Sequence, residues 1–193
     1  MKTRPPRRAP WVAYGLGVVA LGGVAALGLS APWDFERQLL WIRGTAWSAF
    51  IGLALTLCVS PVGRVLAKRK WFKRASVDRL RRAFGITTAA LATAHAALGL
   101  TTYLGDSWHL LLELAWVRSG LLAWSVLLAL WLTSYPALVK RLRIKLWKPL
   151  HRLAFVAFAL AAHHALISPF APRDWVFGTV AVVAAVALLR AVR

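Results

Sequence analysis

LHRLAFVAFALAAHHALISPF, residues 150–170, is an apolar run that carries His151 at one end and the pair His163 and His164 near the other. At about 1.5 Å of rise per helical residue, such a run is long enough to cross the roughly 30 Å hydrocarbon layer of a bilayer. Lipid holds no water to solvate an imidazole. A histidine inside a spanning helix is therefore costly unless it has a partner, and it marks a functional site by default. Three on one such segment, with a fourth, His95, in another, predict a bound metal centre.

The rest of the chain has the composition of a protein dissolved in lipid. Of its 193 residues, 60% are hydrophobic and 16% charged, and the mean hydropathy is +0.62. That is too apolar for a soluble domain of this size. Six stretches are long enough to span: 11–30, 45–66, 83–104, 119–139, 149–170 and 175–192. The expected fold is all-α, one integral membrane bundle of six transmembrane helices over residues 11–193, behind a basic tail at 1–10. No stretch is left for a separate soluble domain.

A net charge of +19 would suggest nucleic acid as the partner of a soluble protein, but its placement argues otherwise. If six helices alternate, 21 of the 25 Lys and Arg fall on one side of the membrane, and only Arg37, Arg43, Arg118 and Arg173 on the other. Five of the six acids, Asp34, Glu36, Asp106, Glu113 and Asp174, lie opposite the basic side. The positive-inside rule then makes both termini cytoplasmic. Basic loops also favour anionic headgroups. The charge thus reports topology, and no nucleic acid is expected.

Cys58 is the single cysteine, which excludes an intrachain disulfide and cysteine-based zinc or iron–sulfur sites. The first apolar segment has basic flanks like a signal peptide, but its length and lack of a convincing cleavage site predict a retained anchor. Its glycines (Gly15, Gly17, Gly22, Gly23) suit close helix packing. At Ser60-Pro61 a kink is expected near the inner end of the second helix. The loop KRKWFKRASVDRLRR that follows, from Lys68 to Arg82, suits a membrane surface first, since any cytoplasmic loop would be basic, and an anionic cofactor such as a flavin phosphate second. HLLLELAW, from His109, reads as a short interfacial helix, with His109 itself solvated; the fourth span reads as scaffold.

Chemistry concentrates on the third and fifth spans. His95 is surrounded by Ala92, Ala94, Ala96, Ala97 and Gly99, a clearing that suits either a flat macrocycle or close packing. Both spans run from inside to outside. Measured from their midpoints, His95 lies about 2 Å and His164 about 7 Å toward the outer side. Imidazoles at one depth on neighbouring helices are what a six-coordinate haem needs. His151 sits about 20 Å below His164. Its counterpart on the third span is Arg81, which cannot ligate iron but can pair with a haem propionate, a quinone oxygen or a flavin phosphate. At about 100° per residue, Arg81 and His95 share a face, whereas His151 is about 140° from His164 and about 120° from His163. The wheel therefore does not choose between His163 and His164.

The segments RRAFGITTAALATAHAALGL and KPLHRLAFVAFALAAHHALISP, the latter with a His-x12-His spacing, together with the Arg43-Gly44 pair before the second span, resemble the MsrQ (YedZ) family within the ferric-reductase-like transmembrane superfamily. The resemblance covers about residues 40–193. It implies a b-type haem subunit that takes electrons from the quinone pool, or from a cytoplasmic flavin reductase. These pass to a periplasmic molybdopterin subunit that reduces methionine sulfoxide in oxidised proteins. It also implies FMN, and it carries over His95, His151, His164 and Arg81 as cofactor-binding residues. His95 and His164 are then the iron ligands, with His151 at a possible second level; His163 is not part of the pattern. On this reading the chain transfers electrons and the substrate chemistry belongs to the partner. The competing expectations are a non-haem transporter with proton-relay histidines and a haem ferric reductase with another acceptor. The first lacks an Asp or Glu near the centre of any span, and relatives of the second usually carry a fused nucleotide-binding domain.

Overall fold

A computed structural model of the chain describes residues 35–66 and 74–188. The basic tail, the expected first span, positions 67–73 of the basic loop and the C-terminal arginines lie outside the described residues. Every described element is helical: α1 (Phe35–Leu66), α2 (Arg74–Leu98) continued by a π-helical segment (Gly99–Leu104), α3 (Leu110–Glu113), α4 (Ala115–Thr133), α5 (Pro136–Leu150), α6 (Leu153–Ile167) and α7 (Arg173–Leu188).

Among the described residues, four segments are long and apolar enough to cross a membrane: Glu36–Gly63, Val77–Thr102, Ala115–Thr133 and Lys145–Ile167. They fall on the expected second to fifth spans. α7 stands where the sixth was expected, with 16 residues described. Large apolar side chains such as Leu122, Leu132, Val156, Phe177 and Val182 point outward from the helices. In water that surface would be a liability. Against lipid tails it is the ordinary exterior of a spanning bundle.

Without a hydrophobic drive between helices in lipid, close packing decides which of them pair. α1 and α2 pack along their lengths, as do α4 and α6. Bare backbone makes the first pairing possible. A Cβ on Gly52 would fall 2.6 Å from Thr88 Oγ1, and one on Gly63 would fall 2.6 Å from a Val77 methyl. At the centre Phe50 of α1 stacks on Phe158 of α6, with ring centres 5.3 Å apart and planes 6° from parallel. Leu53, Leu57, Leu127 and Leu130 close around that pair. This apolar plug forms the floor on which the site rests.

Several boundaries differ from expectation. The fourth span stops at Thr133 rather than running to residue 139. A proline disfavours helical geometry at the residue before it, and Tyr135, before Pro136, is extended with φ −65° and ψ 134°. The basic stretch beyond it is a helix, α5, rather than an open loop. The fifth span, Lys145–Ile167, begins before residue 149 and is interrupted by a turn through His151 that separates α5 from α6. His151 therefore caps α5 and does not share a helix with His164. Helix α1 passes through Pro61 to Leu66; a lost backbone bond is tolerated where neighbouring helices support the segment. The short helix expected after His109 is present as α3. The π-helical segment ends at Gly105, whose φ of +48° favours glycine.

Candidate functional site

His95 projects from α2 and His164 from α6, and their ring centres lie 6.1 Å apart with planes inclined at 68°. Two imidazoles that ligate one metal from opposite sides place their ring centres about 6 Å apart. The sum is two metal–nitrogen bonds of about 2 Å and about 1 Å from each nitrogen to its ring centre. The pair is therefore spaced for a shared ion.

The remaining nitrogens are fixed by the backbone of two other helices. Nδ1 of His95 lies 3.1 Å from the carbonyl of Ile42 in α1, and Nδ1 of His164 lies 2.6 Å from the carbonyl of Trp116 in α4. A carbonyl only accepts, so each Nδ1 carries the hydrogen and donates it. In a neutral ring this leaves the Nε2 lone pair available to a Lewis acid. Metal-bound histidines have this arrangement: the outer hydrogen bond selects the tautomer and holds the ring in plane.

Both imidazoles line one cavity of about 220 Å³, more than ten times what a single water requires. Ala92, Ala96 and Gly99 flank His95, while Gly120, Ala161 and Ala165 flank His164, so a flat group meets little side-chain volume there. Trp47, Phe50, Trp124 and Phe170 add aromatic faces, and Arg43 is the charged residue of the lining. Trp124 is fixed by a hydrogen bond from its indole N–H to Thr93 Oγ1 at 3.1 Å.

Gly120 is required rather than merely small. A Cβ there would fall 2.8 Å from Nδ1 and 2.9 Å from Cε1 of His164. Only glycine lets the ring come this close to α4 and reach the Trp116 carbonyl.

Among the described residues, no three His, Cys, Asp or Glu side chains are grouped so as to hold a metal ion. Two imidazoles alone leave most of an octahedral ion's positions unfilled. A group that brings its own equatorial donors fits such a site, and a porphyrin supplies four nitrogens in a plane. The lining and the donor set therefore suit haem.

A second polar level forms around His151. Its Nδ1 lies 3.2 Å from Trp147 O and its Nε2 3.2 Å from Ser134 Oγ, while the Trp147 ring lies 4.0 Å from it, centre to centre. Ser134 Oγ in turn donates to Leu130 O at 2.7 Å, and Arg82 donates to Ser134 O at 2.6 Å. Both Arg81 and Arg82 are near enough for their charge to act on His151. The guanidinium that ties α2 to this joint belongs to Arg82, the neighbour of the arginine singled out from sequence. Ser134 has one hydrogen, which it can give either to Leu130 O or to Nε2 of a His151 whose Nδ1 hydrogen goes to Trp147 O, so these groups form one polar cluster.

His163 is exposed on the outer surface of α6 and His109 is exposed beside α3. The structure thus brings His95 and His164 together and sets His151 and Arg81 apart from them. Sequence reading missed the Ile42 and Trp116 carbonyls, which leave no trace in side-chain identity. It also missed Gly120, Ser134 and Arg82. A glycine inside a spanning helix, one turn after Trp116, was the available signal for the first of these.

Comparison with known proteins places this geometry. Residues 45–162 match the family model described as "Ferric reductase like transmembrane component". The "Protein-methionine-sulfoxide reductase heme-binding subunit MsrQ" of Deinococcus radiodurans is 33% identical over 174 residues, covering 85% of this chain and 81% of that one. The chain belongs to the MsrQ family. Proteins of the same printed name in Cronobacter sakazakii and Xanthomonas euvesicatoria are 33% and 30% identical over 124 and 148 residues. These alignments cover 60% and 74% of this MsrQ-family chain, and 57% and 62% of theirs. No solved structure gives a significant match. With four candidate spans and a transmembrane family, the chain is a multi-pass membrane protein. The family-model match takes in His95, Gly120 and His151 and stops just before His163 and His164.

Proposed function

We propose that this MsrQ-family chain is a haem b electron-transfer subunit whose iron would be held by His95 and His164. The observation that carries the reading is the 6.1 Å facing pair with both Nδ1 atoms committed to carbonyls. When bound, the haem supplies a one-electron ferric/ferrous couple. The protein's own contribution is mechanical and electrostatic. Ile42 O and Trp116 O hold the imidazoles as Nε2 donors, and Gly120 makes room for one of them. The alanines leave a slot, the aromatic walls exclude water, and Arg43 offers a cation to a propionate carboxylate.

The relatives' name attaches them to protein-methionine-sulfoxide reductase. Carried over to this chain, it makes the protein one half of a repair system. Electrons arrive from the quinone pool or a cytoplasmic flavin reductase at the His151, Ser134 and Arg82 level, with Arg81 alongside. They leave through His95 and His164 to a periplasmic molybdopterin subunit that reduces methionine sulfoxide. The Lys and Arg distribution supports six spans in one domain over residues 11–193, with both termini cytoplasmic in the bacterial inner membrane. FMN, implied by the resemblance, has its candidate anchor in the basic loop, whose positions 67–73 lie outside the described residues.

The test is spectroscopic. Protein purified from haem-replete cells is expected to be red, with a b-type spectrum that sharpens on dithionite reduction. A colourless preparation would overturn the reading in favour of a non-haem transporter.

A further inference from the structure

The two carbonyls that hold the ligand imidazoles each have, besides the N–H four residues on that a helix supplies, a buried hydroxyl within hydrogen-bond distance three residues further along the same helix. Ser119 Oγ lies 3.0 Å from Trp116 O, and Thr45 Oγ1 lies 3.1 Å from Ile42 O and 2.7 Å from Trp41 O. Both hydroxyl residues are buried, Thr45 at 4% and Ser119 at 6% exposure. A glycine adjoins each of them, Gly44 before Thr45 and Gly120 after Ser119. The same small device thus occurs on α1 and on α4, once for each imidazole.

A helical hydroxyl ordinarily settles on the carbonyl four residues back. Thr56, Thr93, Ser125 and Thr179 do so, onto Gly52, Ala89, Leu121 and Trp175. Ser119 instead bonds three residues back, to the oxygen that His164 uses. Thr101 and Thr133 reach the carbonyl three residues back as well as the one four back, so what distinguishes Ser119 is that its acceptor is the oxygen His164 uses.

We propose that Ser119 and Thr45 are positioning residues that raise the reduction potential of the metal centre held by His95 and His164, by competing for the oxygens that accept the Nδ1 hydrogens. This rests on the haem reading above. An imidazole that gives its Nδ1 hydrogen to a strong acceptor gains electron density at Nε2, becomes a stronger donor to the metal and favours the ferric state. Two donors at one carbonyl draw on the same lone-pair density, so the hydroxyl weakens the pull on the imidazole. Ser119 is the stronger of the two, because Thr45 has one hydrogen and lies nearer to Trp41 O than to Ile42 O. Each hydroxyl also fixes the direction of its carbonyl.

The experiment is a redox titration of the purified full chain, followed in its visible haem bands, on wild type and on Ser119→Ala, Ser119→Thr, Ser119→Cys and Thr45→Val. Ser119→Ala is expected to keep a low-spin spectrum with its midpoint shifted negative of wild type. Thr45→Val is expected to shift the same way by less, and Ser119→Thr to stay at the wild-type value. Should Ser119→Ala fail to hold haem, Ser119→Cys carries the same prediction through its weaker thiol donor. Midpoints unmoved or shifted positive in haem-loaded variants overturn the role of the hydroxyls and leave the haem reading standing. Wild-type protein without haem overturns the haem reading itself, and this inference falls with it.

Discussion

Gly120 and the imidazole of His164 compete for one volume: a side-chain carbon on the glycine would stand 2.8 Å from Nδ1 of the histidine. The ring wins because α4 carries nothing there, and its bond to Trp116 O closes to 2.6 Å. Gly120→Ala should therefore leave the bundle folded while displacing the ligand. Overpacking of this kind costs about 1–3 kcal/mol, which corresponds to about a 5- to 150-fold loss of haem affinity. Haem content per protein after purification, compared with the far-UV helical signal, checks it.

The two imidazoles facing the cavity differ sharply from the one beside them. His95→Ala and His164→Ala should each abolish the low-spin spectrum, whereas His163→Ala, on an exposed position of α6, should keep it. Absorption spectra of the three variants at matched protein concentration decide the matter. Loss of the signal in His163→Ala alone would reverse the ligand assignment.

At the second level, Ser134 is the junction between His151 and the Arg82-bound backbone. Ser134→Ala removes one partner of His151 and should slow reduction by a quinol analogue while dithionite still gives the full reduced spectrum. His151→Ala should do the same more severely. Stopped-flow reduction by the two donors separates electron arrival from haem occupancy.

Helix pairing has its own test. Gly52→Ala would drive a methyl toward Thr88 Oγ1, and Gly63→Ala would drive one into the Val77 methyls. Each should destabilise the α1–α2 contact by about 1–3 kcal/mol and lower the thermal midpoint in detergent. Gly44→Ala, with open space around it, should not alter packing.

Four spans were legible because length and apolarity alone define them, and counting residues along two of them already set His95 and His164 at similar levels, as their 6.1 Å separation requires. What sequence pattern missed was set by geometry between helices. The wheel angle of about 140° between His151 and His164 assumed one continuous helix. The turn at His151 breaks it, and Tyr135-Pro136 breaks the preceding span for a reason that proline chemistry states but an apolar count overlooks. Arg81 and Arg82 are neighbours in the chain yet about 100° apart around the helix, so a sequence motif points to the right turn of α2 without fixing which guanidinium bonds to Ser134. Which of His163 and His164 lines the cavity likewise depends on the rotation of α6, which a wheel drawn through His151 did not give.

The imidazoles are tethered to peptide oxygens, and every amino acid has one. Position 42 can accordingly exchange isoleucine for other residues with the tether intact, and a library of single side-chain swaps would score it as permissive. What must be inherited unchanged is the phase of α1 against α2. A one-residue insertion between Phe35 and Leu39 would leave the Ile42 tether in register, while one between Ile42 and Phe50 would unhitch His95 with its own side chain unaltered.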